Sequence, residues 1–118
     1  GSGFGTLLAN TINGVGLSSF PSLSANHAST SPSNSWVSSG TTTGTVTFSL
    51  PGTNSVSGFS FWNQNAGGPG GLGSTGIRNV LIEYSTDGVT YFTVPGAPTS
   101  FARITTGAGS LPESFSFA

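Results

Sequence analysis

The chain contains no cysteine and no lysine, and only five of its 118 residues carry a formal charge. Without cysteine there are no disulfides, no thiolate metal ligands and no cysteine nucleophile. The cations are Arg78 and Arg103 and the anions are Glu83, Asp87 and Glu113, for a net charge of -1. Nucleic acids and anionic membrane surfaces are bound through basic clusters, so neither is an expected partner. No apolar run approaches the length of a bilayer span, and membrane insertion is not expected. Acid–base chemistry is equally ill supplied. His27 is the single histidine, and Glu83 and Asp87 sit four apart around one turn rather than across a cleft. No Gly-x-Ser-x-Gly elbow, phosphate loop or His-Glu-x-x-His segment occurs. The chain therefore reads as non-catalytic.

What polarity there is comes from Ser, Thr, Asn and 19 glycines. Such a surface is neutral and rich in hydroxyls and amides, which suits neutral polymers, an extracellular matrix or self-association. The Ser, Gly and Pro content resembles that of disordered chains, but nine Phe, two Trp and two Tyr do not. The length suits one folded domain with one core, spanning 1–118.

Helical periodicity is absent, because glycine or proline interrupts almost every window of twelve residues. Alternation with period two recurs instead. In 43–50 (TGTVTFSL), Val46, Phe48 and Leu50 share one face while Thr45, Thr47 and Ser49 share the other. Similar patterns run through 56–62, 77–84, 89–94, 100–104 and 113–117. Short strands at this spacing predict an all-β, antiparallel sandwich or barrel. Between two of them, Ser85-Thr86-Asp87-Gly88 has the composition of a hairpin turn. Asp87 is suited to bond its own backbone, and Gly88 to take the left-handed position.

Four segments in this order resemble the discoidin, or coagulation-factor type C, domain. They are 9–18 (ANTINGVGLS) with its Asn13-Gly14, 34–39 (NSWVSS), 46–65 ending in WNQN, and 76–92 (GIRNVLIEYSTDGVTYF). The last is the most specific, since apolar alternation, turn and closing aromatic must coincide. The variant with Asn-Gly-x-Gly-Leu and Trp-Asn-x-Asn is similar to domains of bacterial surface-exported proteins. The resemblance implies a jelly-roll sandwich of the galactose-binding-like group at the cell surface or outside the cell. That family runs on for several tens of residues past this hairpin, so the resemblance also implies a sandwich incomplete at its C-terminus.

For function, the resemblance implies glycan or matrix-polymer binding on loops at one end of the sandwich. Its candidate ligand residues here are His27, Asn63, Asn65, Arg78 and Tyr91, with Phe92 next to the last. Trp36 and Trp62 match positions that are usually core. Gly67, Gly68, Gly70, Gly71 and Gly73 keep the loop after Asn65 unhindered. Family members often hold a structural calcium, for which Thr11 and Asn13 are the candidate ligands, Asn13 standing where the family has aspartate. An alternative of a different class follows from the implied open edge. It is a homo-oligomer or filament subunit completed by strand donation or edge pairing.

Overall fold

The structure is a computed structural model describing residues 8–38, 42–52, 54–67, 71–107 and 109–117. Ser39, Gly68 and Gly70, named above, lie outside those residues. A short 3-10 helix, Leu8–Thr11, precedes four strands: β1 (Gly58–Phe61), β2 (Glu83–Tyr84), β3 (Phe92–Thr93) and β4 (Glu113–Ser116). β1 pairs antiparallel with β4 and β2 with β3, giving two small two-stranded sheets. The protein is thus mostly non-helical, with its regular structure in antiparallel pairs.

Four of the expected strand segments each contain one of these strands. The segment 100–104 contributes a single bridge, Asn79 to Ser100. The segment 43–50 contributes none. Residues 42–52 are exposed throughout, and among the described residues nothing hydrogen-bonds to 44–50. Val46, Phe48 and Leu50 stand 40%, 52% and 58% exposed.

β1 forms because both of its faces find partners. On one face Phe59 lies opposite Phe115 of β4, with ring centroids 5.3 Å apart. Phe61 stacks on Phe101 at 4.0 Å and 21°, and Phe59 meets Phe101 edge-on at 6.3 Å. Phe117 closes the cluster 6.2 Å from Phe59. Rings in such offset and edge-to-face contacts add about 0.5–1.5 kcal/mol per pair beyond their burial. Gly58 admits β4 closely, because a β-carbon there would collide with the Phe115 carbonyl. On the other face the Ser60 and Ser114 hydroxyls meet across the register at 2.8 Å.

The alternation of β1 continues past its last ladder bond, but amides replace the rings. Asn63 Oδ1 accepts from the Ile77 and Gln64 amides at 2.9 and 3.0 Å. Its Nδ2 donates to the Ile77 and Ala102 carbonyls at 2.8 and 3.0 Å. Asn65 Oδ1 accepts from Thr30 N at 2.7 Å, and its Nδ2 donates to Ala28 O and Ser110 Oγ at 3.1 and 3.0 Å. Asn65 is fully buried, 0% exposed. An amide has two acceptor and two donor directions, so each of these side chains can stand in for a missing stretch of backbone ladder.

A second set of side-chain bonds aligns a whole segment. Ser60 Oγ donates to Leu23 O, Trp62 Nε1 to Ala25 O and Asn65 Nδ2 to Ala28 O, each pair 37 residues apart. Residues 23–28 therefore run beside 60–65 in the same direction, held by side chains instead of a ladder. His27 sits at the centre of the next layer, bridged by its backbone to Leu17 on one side and Ser110 on the other. The interior that results is largely polar. Among the described residues the buried ones besides Gly73 are the apolar Ala25 and Phe101 and the polar His27, Asn63, Asn65 and Ser110.

Candidate functional site

The expected ligand residues are divided by the fold. His27, Asn63 and Asn65 lie in the interior. The Nδ1 of His27 is 2.6 Å from the Ala28 carbonyl, an acceptor only, so this nitrogen carries the proton. The rest of the ring edge faces Gly16, where a β-carbon would come within 2.6–2.7 Å of Cε1 and Nε2. Arg78 is exposed, and its carbonyl accepts the Phe101 amide at 2.7 Å. Tyr91 is exposed on the hairpin formed by β2 and β3. Of the two tryptophans, Trp62 is half-buried through its bond to Ala25, and Trp36 is half-buried with its carbonyl accepting Gln64 Nε2 at 3.0 Å.

That hairpin carries Tyr91 beside β3, and its turn is built by two short side chains. Ser85 Oγ accepts from the Asp87 and Gly88 amides at 3.2 and 2.8 Å, and donates to Asp87 Oδ1 at 2.9 Å. The same Oδ1 accepts from Val89 N and Thr90 N at 2.8 and 2.9 Å. These amides, Thr90 first and Val89 next, favour the ionised carboxylate and lower the Asp87 pKa below 3.8. Gly88 takes φ 75°, the left-handed value that a side chain would strain.

The turn sets the register Tyr84 to Phe92 and Glu83 to Thr93, with Val94 N donating to Ile82 O at 3.0 Å. Residues opposite one another share a face, as do residues two apart. Ile82, Tyr84, Phe92 and Val94 therefore share one side. Ile82 and Val94 are half-buried, and Tyr84 and Phe92 continue the face outward at 50% and 53% exposure. The two rings lie 5.7 Å apart at 36°, forming an apolar ledge with a phenolic hydroxyl. Tyr91 belongs to the other side. Tyr84 was absent from the residues expected from sequence. Its signal was its place opposite Phe92 across the seven-residue connection 85–91, which is visible only once the register is known.

A second concavity, an open hollow of about 350 Å³, is lined by Arg103, Ile104, Thr105, Thr106, Gly109, Ser110 and Leu111. It contains no aromatic ring. The Thr106 and Ser110 hydroxyls bond each other at 2.9 Å, and Arg103 Nε donates to Leu72 O at 2.7 Å. These three polar side chains are turned on the protein itself and no ring lines the hollow, so the hairpin ledge is the better-equipped surface.

The calcium candidates are poorly suited as they stand. Thr11 Oγ1 donates to Leu8 O at 2.8 Å, and Asn13 Oδ1 accepts from Val15 N at 3.0 Å. Calcium takes six to eight oxygens, preferably including carboxylates. This loop adds no acidic side chain, and no group of three His, Asp or Glu side chains suited to a metal occurs among the described residues. The pair does not fit a calcium site in this arrangement. No helix among the described residues is long and apolar enough to cross a membrane. No known protein family, curated protein or solved structure matches the chain.

Proposed function

We propose that this protein is a non-catalytic, extracellular or surface-displayed module that binds neutral glycans or a similar hydroxyl-rich polymer, with Tyr84 and Phe92 as its stacking platform. The two small sheets are read as parts of a discoidin-like β-sandwich. The observation that carries the reading is the exposed Tyr84–Phe92 ring pair on a hairpin pinned by Ser85 and Asp87. The apolar side of a pyranose stacks on such a face while its rim hydroxyls bond nearby polar groups. A rigid hairpin keeps the ordering cost of binding low. A surface with five charges and abundant Ser, Thr and Asn competes little for ionic partners. The test is a glycan array followed by calorimetry on any hit. Replacing both Tyr84 and Phe92 with alanine is expected to weaken binding by about tenfold or more, ~1.4 kcal/mol. Unchanged affinity in that double variant refutes the assignment of the site.

A second reading is supported by a separate observation, the unbonded and exposed segment 44–50. Its backbone groups are available to a second copy of the chain. Antiparallel pairing about a two-fold axis through Phe48 sets Val46 against Leu50 and keeps every apolar side chain on one face. The protein is then the subunit of an extracellular assembly. Concentration-dependent sedimentation, abolished by Phe48→Lys, supports this reading; a monomer at all concentrations removes it.

A further inference from the structure

We infer that Asn13-Gly14 is a self-modifying site, at which the chain converts an amide to a carboxylate without an enzyme. Asn13 is the one asparagine in the sequence followed by glycine. It is exposed, and its amide is lightly held. Oδ1 accepts from Val15 N at 3.0 Å, and Nδ2 reaches Asn10 Oδ1 at a long 3.4 Å. The Gly14 amide donates to nothing among the described residues, so its nitrogen is available as a nucleophile. Glycine carries no β-carbon to obstruct the approach. A bulkier residue would also collide with the Phe20 ring, so the accessible nitrogen is built into the turn.

The chemistry closes without any cofactor. Gly14 N gives up its proton to solvent base and attacks Asn13 Cγ. The Cγ–Nδ2 bond breaks, ammonia leaves, and a five-membered imide remains. Water then adds to either ring carbonyl. Breaking the ring bond to Cγ gives aspartate in the ordinary backbone. Breaking the bond to the main-chain carbonyl carbon gives isoaspartate, with the chain now routed through the former side chain. Either product makes the net charge of -1 one unit more negative.

The Asp87-Gly88 turn supplies the internal control, because its glycine has the same φ of 75° as Gly14. There the nucleophile is engaged, Gly88 N donating to Ser85 Oγ at 2.8 Å. The electrophile is an ionised carboxylate stabilised by Thr90, Val89 and Ser85. Both features oppose imide formation.

The experiment holds the intact chain at neutral and mildly alkaline pH, with isoelectric focusing, ammonia release and isoaspartate mapping of peptides as readouts. One acidic band step is expected, faster at higher pH and matched by one equivalent of ammonia. Isoaspartate is expected in the peptide containing position 13. The step is lost in Asn13→Gln. The same chain in concentrated urea is expected to form isoaspartate at position 87 as well, which the folded chain does not. An acidic step that persists in Asn13→Gln overturns the inference, as does isoaspartate appearing at position 87 of the folded chain as fast as at 13. Peptide mapping of the unsubstituted chain gives the answer even where the variant folds poorly.

Discussion

Residues 44–50 and 58–65 carry the same alternation and meet opposite fates. In 58–65 every position has a partner: rings at 59 and 61, amides at 63 and 65, and the Ser60, Trp62 and Gln64 side chains reaching distant carbonyls. In 44–50 the apolar face is Val46, Phe48 and Leu50, and its reverse offers only Thr45, Thr47 and Ser49, none of which bonds another residue. Alternation makes a segment capable of being a strand. Whether it becomes one depends on what its two faces can hold, and long-reaching amides and indoles hold more than hydroxyls do.

The largest blow to the well-held region is Phe101→Ala, which removes the ring stacked on Phe61 and touching Phe59 and Phe115. A loss of about 3–5 kcal/mol is expected from urea unfolding, as for other buried phenylalanines. Asn65→Leu follows. It keeps the volume but strands Thr30 N, while Ala28 O keeps His27 Nδ1 and Ser110 Oγ keeps Thr106, and about 1–3 kcal/mol is expected for the unsatisfied amide. If Asn65→Leu proves neutral, the amides are not what separates the two segments. Phe48→Ser sits at the other extreme. Its effect on monomer stability is expected within about 0.5 kcal/mol, and a larger loss would mean that 44–50 is held after all.

The smallest effect is the pH response of the turn. The folded pKa of Asp87 is lowered, so its contribution is complete above the unfolded value of 3.8 and is lost as pH falls through the lower folded value. The protection of the Val89 and Thr90 amides, their exchange relative to an unstructured amide at the same pH, is expected to hold steady from neutral pH down to about that point and to fall below it. Asp87→Asn, which cannot ionise, removes the transition. A transition centred at higher pH contradicts the bonding described for Oδ1.

The turn was the part most legible in the sequence, because Ser85, Asp87 and Gly88 act on backbone within three residues of themselves. The strand segments around β1 to β4 were legible as alternation, since rings at every second position leave few other arrangements. The pairing of β1 with β4 was not, because nothing local in 58–61 specifies a partner more than fifty residues away. The candidate site divided along the same line. Asn63 and Asn65 have side chains that serve a sugar hydroxyl or a buried carbonyl equally well, and sequence alone carries no sign of which. Tyr91 and Phe92 were read as neighbours, whereas the strand sends them to opposite faces and gives Phe92 to Tyr84.

The constant 37-residue offset between 23–28 and 60–65 also bears on how the gene can change. Shortening or lengthening 44–50 by one codon leaves every matched position matched, and altering a loop costs only fractions of a kcal/mol per residue. Losing one codon at Ser24 instead would displace one end of the lattice against the other and break its phase. Evolutionary drift in length should therefore be confined to the intervening tether, with the two flanking tracts inherited as a unit.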